Sequence, residues 1–290
     1  MLYHLYLIVL QILIKFKVRT YIAINMFNSP LYVVKLGGSI TTIKNGNYEL
    51  NYENLKNIAE TISKSKLLSN SKIILVFGGG SFGNVAPIEY NILSKSNKDN
   101  HLVNISKMTT VMFSMLTDIA NVFIEYGLPV YPFQCSAIVR QKINLKYEIN
   151  IESILLALKQ NYIPIISGDL VFNRENNFTI FSSDNIPFLI SEVFPVKHVL
   201  YYTDVDGLYS NLIDKKIIPL IKLGDFKAIK KLAGPSLNQD VTGGMAHKII
   251  QIENLLKNNV TSEILSFKNF RLIDHSLNKE IHFGTRFEVN

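Results

Sequence analysis

Two apolar runs of this chain end directly in glycines, and this feature constrains the fold more than any other. Residues 73 to 84 read IILVFGGGSFGN, and residues 31 to 39 read LYVVKLGGS with Lys35 near the strand end. Apolar β-prone runs favour buried parallel strands, and glycines without Cβ atoms let a ligand approach the main chain. A helix beginning just after Ser81 would add its positive end. Either loop alone could be a tight turn, but the two together predict a phosphate held from two sides.

Strand and helix patterns alternate along the rest of the chain. Helices are predicted from Asn51, a plausible cap, to Leu68, from Val103 to Tyr126, and from Ile186 to Phe194. Between them lie short apolar strands that end in Gly, Asp or Thr. This alternation predicts an α/β fold with a mainly parallel central sheet sandwiched by helices, and with ligands at the carboxyl ends of the strands.

The composition restricts both the partner and the compartment. The chain has 290 residues, is 48% hydrophobic and carries a formal charge of +7, so it can bury a substantial core. Its basic residues are scattered, which argues against nucleic acid and leaves a small anionic ligand or a solvated basic surface as explanations. A single cysteine, Cys135, excludes an internal disulfide and a multi-cysteine metal site, and it indicates a reducing compartment, the cytoplasm.

Residues 1–27 are predicted to be an N-terminal hydrophobic and basic extension. The apolar run from Leu2 to Ile14 is shorter than the roughly 20 residues that a helix needs to span a bilayer. Its basic residues follow the apolar part, whereas those of a secretory signal precede it. We therefore expect no stable membrane insertion, and we interpret the segment as an extension upstream of a start at Met26, with a membrane-attached helix as the alternative.

Several short motifs occur in an informative order along the chain. In sequence they are KLGGS at 35–39, Lys44, GGGSFG at 78–83, SGD at 167–169, SSD at 182–184, TDVDG at 203–207, DVTGGMAHK at 240–248 and Gly284-Thr285. The series resembles the amino acid kinase superfamily, and within it most closely the isopentenyl phosphate kinases. The resemblance implies one amino acid kinase-like domain over residues 28–290, with an acceptor lobe of about 28–170 and a nucleotide lobe of about 171–290.

The resemblance also implies a reaction and a set of catalytic residues. ATP, with Mg²⁺, would donate its γ-phosphoryl group to isopentenyl phosphate and give isopentenyl diphosphate, in an enzyme that is expected to be a homodimer. Lys35, Lys44 and Lys248 would screen the repulsion between the two anions and align them. Asp184 would hold the lysines in place, since an acceptor phosphate that is already ionised needs no general base. No protein metal site is expected, because Mg²⁺ would bridge the nucleotide phosphates.

Further residues would bind the two substrates. The acceptor phosphate would contact Gly79, Asn84, Gly168 and Asp169. The nucleotide would be bound by Lys35, Leu36, Gly37, Gly38, Ser39, Gly80, Thr203, Asp204, Asp206, Gly207, Gly243, Gly244 and Lys248. A strand-end carboxylate such as Asp169 is also a common turn or capping residue, so a purely structural role for it stays open.

The sequence departs from the pattern it resembles at the acceptor site. A histidine usually follows GGGSFG and another usually precedes its glycines, but this chain has Asn84 and Phe77 there, and the usual SGDD becomes Ser183-Asp184-Asn185. Three interpretations remain: an isopentenyl phosphate kinase with a weakened acceptor clamp, a kinase of another small phosphate or phosphonate such as fosfomycin, or a non-catalytic nucleotide-binding relative. The retention of all three lysines favours catalysis.

Overall fold

The computed structural model describes residues 29–43, 48–66, 70–92, 101–142, 144–173, 177–211, 213, 216–232, 244–278 and 283–289. The predicted N-terminal extension lies outside these residues. The strands are β1 (Leu31–Leu36), β2 (Lys72–Phe77), β3 (Val130–Phe133), β4 (Val139–Gln141), β5 (Tyr147–Ile149), β6 (Ile163–Ser167), β7 (Asp169–Phe172), β8 (Phe178–Phe181), β9 (Val196–Thr203), β10 (Leu220–Lys222), β11 (Thr261–Ser266) and β12 (Thr285–Glu288).

Helices connect most of these strands. They are α1 (Gly38–Thr41), α2 (Tyr52–Lys64), α3 (Gly80–Glu89), α4 (His101–Glu125), α5 (Cys135–Ile138), α6 (Glu152–Lys159), α7 (Ile186–Ser191), α8 (Phe226–Leu232), α9 (Gly244–Lys257) and α10 (Ile273–Asn278). Short 3₁₀ turns cover Ser183–Asn185, Leu223–Asp225 and Phe267–Leu272. None of the helices in the described ranges is both long enough and apolar enough to cross a membrane.

A central sheet of eight strands organises the molecule. Its order is β10-β12-β11-β9-β1-β2-β6-β3. Every neighbouring pair is parallel except β11 and β12, which are antiparallel. The two hairpins β4-β5 and β7-β8 lie outside this sheet. The predicted α/β fold with a mainly parallel sheet is therefore confirmed.

Each face of the sheet is covered by helices, because the side chains of its strands alternate between two hydrophobic clusters. In β1, Leu31 and Val33 pack into a cluster with α6, α7 and α9, whereas Tyr32 and Val34 pack into a cluster with α2, α4 and α10. Burying each such large apolar side chain stabilises the fold by roughly 1.5–3 kcal/mol. The central strands are buried on both faces, which explains why they read as continuous apolar runs.

Helix boundaries differ from the sequence prediction where local chemistry decides them. Asn51 does cap α2, accepting a hydrogen bond from the Asn54 N–H at 3.0 Å, but this helix ends at Lys64 rather than at Leu68. The α7 helix ends at Ser191, three residues before the predicted end. Pro195 accounts for this early end, because it has no N–H to donate to the Ser191 carbonyl and so cannot continue the helical hydrogen bonds.

The topology brings the two glycine loops together. β1 and β2 are adjacent and parallel, with Leu36 paired to Phe77 at their carboxyl ends. The loops that follow them therefore leave the sheet side by side at the same edge. The second loop leads into α3, which begins at Gly80 and not after Ser81 as predicted.

Candidate active site

The two glycine loops are in direct backbone contact. A Cβ atom added to Gly38 would lie 2.3 Å from the backbone nitrogen of Gly80, and one added to Gly78 would lie 2.3 Å from the backbone nitrogen of Gly38. Gly80 also has a φ of +49°, in the left-handed region that favours glycine. Glycine is therefore required at these positions by the loops themselves, whatever ligand they bind.

Two lysines and one aspartate form a buried ionic cluster beside these loops. Lys35 Nζ lies 3.0 Å from Asp184 Oδ1, and Lys248 Nζ lies 2.8 Å from the same oxygen. Lys35 is in β1, Asp184 is in the 3₁₀ turn that precedes α7, and Lys248 is in the second turn of α9. The three side chains are at most 9% exposed. Two of the three predicted lysines thus meet at the predicted carboxylate.

The electrostatics of Asp184 follow from these contacts. Burial by itself raises the pKa of a carboxyl, but the charges and hydrogen bonds of Lys248 and Lys35 outweigh it and hold the pKa of Asp184 well below its usual range. Asp184 is therefore ionised at neutral pH. Since its Oδ1 already contacts both ammonium groups, the geometry suits a residue that orients lysines rather than one that accepts a proton from a substrate.

A single cleft of about 650 Å³ contains this cluster and both loops. Its described lining comprises Lys35, Gly37, Gly38, Ser39, Thr42, Gly78, Gly79, Gly80, Ser81, Gly83, Asn84, Val85, Met108, Met112, Gly168, Asp169, Ile180, Phe181, Ser182, Ser183, Asp184, Thr203, Asp204, Val205, Gly244, Met245 and Lys248. The amino-terminal residues of both α3 and α9 are among them. Helix amino termini and ammonium groups favour anions, so the cleft suits a ligand with several phosphate groups.

The cleft also contains the four residues predicted to contact the acceptor. They are Asn84, Gly79, Gly168 and Asp169, and the apolar residues Met108 and Met112 line the same cleft.

Asp169 has structural contacts of its own in this region. Its carboxylate accepts hydrogen bonds from the backbone N–H groups of Ser136, at 3.2 Å, and Leu170, at 2.8 Å. Burial is the main influence on this carboxyl and raises its pKa, in contrast to Asp184. These contacts anchor Asp169 between the start of α5 and β7.

The residues predicted to bind the nucleotide divide into two groups. Thr203, Asp204, Gly244 and the first glycine loop line the cleft. Asp206 and Gly207 are not among its described lining residues.

Gly207 instead serves the packing of its loop. A Cβ atom there would lie 2.9 Å from the Thr285 hydroxyl, which accepts a hydrogen bond from the Leu208 N–H at 2.8 Å. Leu36 is fully buried within β1, so only its backbone could face a ligand. Lys44 and Gly243 lie outside the described residues.

Three contacts of the site were not anticipated from the sequence. The Thr42 hydroxyl bridges the two glycine loops. The Tyr201 ring lies under Lys248, with Nζ 5.2 Å from the ring centroid, a distance at which a cation and an aromatic face attract each other. His247 Nε2 lies 3.0 Å from Asn185 Oδ1, so the residues adjacent to the Lys248–Asp184 pair also interact. No sequence pattern indicates these contacts, because each joins segments that are distant along the chain.

Comparison with known proteins agrees with this architecture. The amino acid kinase family profile matches residues 30–266, which include both loops and all three members of the ionic cluster. The chain belongs to the amino acid kinase family.

Several relatives are named for a phosphorylated substrate. Isopentenyl phosphate kinase of Methanocaldococcus jannaschii is 34% identical over 233 residues, covering 77% of this chain and 86% of that protein. The (5-(aminomethyl)furan-3-yl)methyl phosphate kinase of the same organism is 28% identical and covers 69% of this chain. A solved isopentenyl phosphate kinase structure has a TM-score of 0.71 at 24% identity and covers 88% of this chain, which supports the fold.

Proposed function

We propose that this protein transfers the γ-phosphoryl group of ATP to isopentenyl phosphate and forms isopentenyl diphosphate. The observation that carries the proposal is the convergence of Lys35, Lys248 and Asp184 with two interlocked glycine loops in one cleft. The membership of the chain in the amino acid kinase family and its 34% identity to an isopentenyl phosphate kinase support the same reaction.

The geometry is suited to a reaction that is catalysed by position and charge. The acceptor and the γ-phosphate are both anions, and they must approach in line against their repulsion. When nucleotide binds, its phosphates compete with Asp184 for the ammonium groups of Lys35 and Lys248, which can then neutralise charge on the transferring group. Asp184 keeps both lysines directed at the cleft, and the acceptor phosphate oxygen attacks without a general base. We propose that Lys44 contacts the transferring group as a third cation.

We assign the remaining predicted residues to the two substrates by their places in the cleft. Gly79, Asn84, Gly168 and Asp169 would bind the acceptor phosphate in a lobe of about residues 28–170. ATP would be bound by the first glycine loop, by Gly80, and by Thr203, Asp204 and Gly244 in the lobe of about residues 171–290. Gly243 would bind the nucleotide beside Gly244. Asp206 and Gly207 would support the nucleotide loop, since neither is among the described lining residues of the cleft.

We propose that Mg²⁺ enters with ATP and is coordinated mainly by its phosphates, where it would add positive charge to the transferring group. In the described ranges, no group of three or more His, Cys, Asp or Glu side chains could hold a metal ion. Asp184, one of the carboxylates that line the cleft, already contacts two lysines through Oδ1. These residues fit an ion that is carried by the nucleotide better than an ion that is held by the protein.

Asn84 favours a second candidate, a kinase of another small phosphate or phosphonate. A neutral amide replaces the expected histidine at the acceptor side of the cleft. A protonated imidazole pairs its positive charge with a phosphate as well as donating a hydrogen bond, whereas the amide of Asn84 can only donate. Asn84 should therefore bind an acceptor phosphate less tightly than a histidine would. A relative that is named for a different phosphate acceptor shows that acceptors vary among proteins similar to this chain.

The test is a phosphoryl-transfer assay with the full chain, ATP and Mg²⁺, run against isopentenyl phosphate and a panel of other phosphates that includes fosfomycin. Turnover with isopentenyl phosphate supports the first candidate, and turnover with another acceptor alone supports the second. ATP binding without transfer to any acceptor would show a non-catalytic nucleotide-binding protein. Lys248→Ala should raise the KM for ATP and Lys44→Ala should mainly lower kcat, and unchanged kinetics in both variants would contradict the site assignment.

We further propose that the protein acts as a homodimer in the cytoplasm. The resemblance to isopentenyl phosphate kinases supports a dimer, and the one cysteine, which is buried and not in a disulfide, is consistent with a reducing compartment. Light scattering coupled to size-exclusion chromatography should give a mass near twice 32.9 kDa. A mass near that of one chain would contradict the proposed assembly.

A further inference from the structure

Thr42 connects the two glycine loops through its side chain. It directly follows α1, and its Oγ1 donates a hydrogen bond to the Gly38 carbonyl at 2.8 Å. The same oxygen accepts a hydrogen bond from the Ser81 N–H at 3.0 Å, so one hydroxyl joins residues 39 positions apart. Thr42 is 3% exposed and lines the cleft. Its hydroxyl therefore acts at the junction of the two loops and not at the protein surface.

The packing around this hydroxyl leaves little freedom to the loops. A Cβ atom on Gly80 would lie 2.0 Å from Thr42 Oγ1 and 2.8 Å from the Gly38 carbonyl oxygen. The Thr42 N–H also donates to the Gly38 carbonyl, at 3.0 Å. The Thr42 side chain thus fills the space beside Gly80 and bonds polar groups of both loops at once. A change at this position would alter the separation of the loops directly.

The separation of the loops matters for the proposed reaction. The second loop leads into α3. Ser81 lies in the first turn of this helix, and its N–H donates the hydrogen bond to the Thr42 hydroxyl. The first loop is expected to bind ATP, whereas Gly79 and Asn84 of the second loop segment are expected to bind the acceptor and its Gly80 the nucleotide. In-line transfer requires the reacting atoms to approach within about 3–3.5 Å, and an error of about 1 Å can cost about 10²-fold in rate.

We propose that Thr42 is a positioning residue whose hydroxyl sets the distance between the donor-binding and acceptor-binding loops. This inference rests on the proposed kinase function. Thr42 does not need to contact either substrate, because its effect passes through the main chain of Gly38 and Ser81. The hydroxyl is the required part of the side chain, since it makes both contacts.

The test compares Thr42→Val, which keeps the shape of the side chain but removes the hydroxyl, with Thr42→Ser, which keeps the hydroxyl. At saturating substrates and well below the unfolding temperature, Thr42→Val should lower kcat by about 10- to 100-fold. The two KM values should change far less, because each loop still binds its own substrate. Thr42→Ser should stay within a few-fold of the wild type, a rescue that a purely structural role of side-chain bulk does not explain.

Hydrogen–deuterium exchange of the Ser81 amide gives a readout that does not depend on turnover. The amide should exchange slowly in the wild type and in Thr42→Ser, and faster in Thr42→Val. Unchanged kcat in Thr42→Val, equal losses in both variants, or Ser81 exchange that is the same in all three proteins would each overturn the inference. Absence of turnover in the wild type would instead overturn the proposed function, and with it the positioning role.

Discussion

Replacing Asp184 by Asn tests the ionic cluster most directly. The substitution keeps the shape of the side chain and one acceptor oxygen, but it removes the negative charge from between two ammonium groups. Lys35 and Lys248 lie 3.0 Å and 2.8 Å from Asp184 Oδ1, with side chains only 5% and 8% exposed. In the Asp184→Asn protein, the negative charge that contacts both buried ammonium groups would therefore be lost.

The structure sets the size of the expected effect. At an effective dielectric constant of about 20, each contact at this distance corresponds to roughly 6 kcal/mol of attraction. Desolvation of the three groups offsets much of it, and the measured cost of removing one partner from a buried pair is about 3–5 kcal/mol. We expect Asp184→Asn to lose about 3 kcal/mol of unfolding free energy, because Asn still accepts a hydrogen bond. For a chain of this length that corresponds to a fall of roughly 5 °C in Tm.

Asp169→Asn is the matched control, since Asp169 is also a buried carboxylate in the same cleft. Its oxygens accept backbone N–H groups and its pKa is raised mainly by burial, so removing its charge should cost little at neutral pH. Thermal and denaturant unfolding of both variants should be compared at pH 7. Removing one partner from a buried ion pair is expected to cost about 3 kcal/mol or more of unfolding free energy. A cost under about 1 kcal/mol for Asp184→Asn, or equal costs for the two variants, would refute the reasoning.

The two carboxylates should also differ in their pH dependence. The pKa of Asp184 is lowered in the folded state, so its contribution to stability is present above the unfolded value of about 3.9 and is lost as pH falls below it. The pKa of Asp169 is raised, so its contribution is present below that value and is lost as pH rises through the folded pKa. Asp184→Asn should therefore weaken the loss of stability as pH falls below about 3.9. Asp169→Asn should instead weaken the loss of stability as pH rises above that value. Unfolding midpoints from pH 2 to pH 7 would show whether these losses change as expected.

Three further substitutions probe the loops and the cleft. Gly38→Ala should destabilise the fold by about 3 kcal/mol, because the new Cβ would lie 2.3 Å from the backbone of the second loop. Gly83→Ala should stabilise the fold by about 0.5–1 kcal/mol, because nothing lies within 4 Å of the new Cβ and alanine favours a helix over glycine. Denaturant midpoints that move in the same direction for both would contradict the packing. Asn84→His should lower the KM for isopentenyl phosphate by about tenfold at pH 6 and by less at pH 8, since only the protonated imidazole adds a positive charge. A KM of this variant that is independent of pH would contradict a role of residue 84 in binding the acceptor phosphate. Tyr201→Phe should leave Tm unchanged or higher, because the Tyr201 hydroxyl has no hydrogen-bond partner among the described residues. Tyr201→Leu should raise the KM for ATP, because it removes the aromatic ring that contacts Lys248. Equal kinetics for the two variants would exclude a role for the ring.

Local sequence patterns were sufficient to predict the class of the fold and most of its elements. Strand β2 can be predicted because a buried parallel strand has a continuous apolar run. The glycine loop after it can be predicted because a close approach of two backbone segments requires glycine. Asn51 was predicted as a cap from its position alone, and its side chain does bond the Asn54 N–H. The ends of helices were less predictable, as α7 shows by stopping at Ser191 ahead of Pro195.

The candidate site was predictable only in its components. The ordered motifs and the resemblance that they carry indicated Lys35, Asp184 and Lys248 as site residues. The parallel strand topology explains why the loops near these residues meet at one edge of the sheet. Nothing local indicated that both lysines share one oxygen of Asp184, or that Tyr201 lies under Lys248.

The amino-acid order alone thus determined the sheet, the positions of its glycine loops and the residue types available to them, because these depend on short-range periodicity and backbone freedom. The folded chain decided which side chains meet across those loops, as Thr42 meets Ser81 over 39 positions and Lys248 meets Asp184 over 64. Such contacts depend on strand register and on the packing of helices against the sheet, and both are set by the whole core at once.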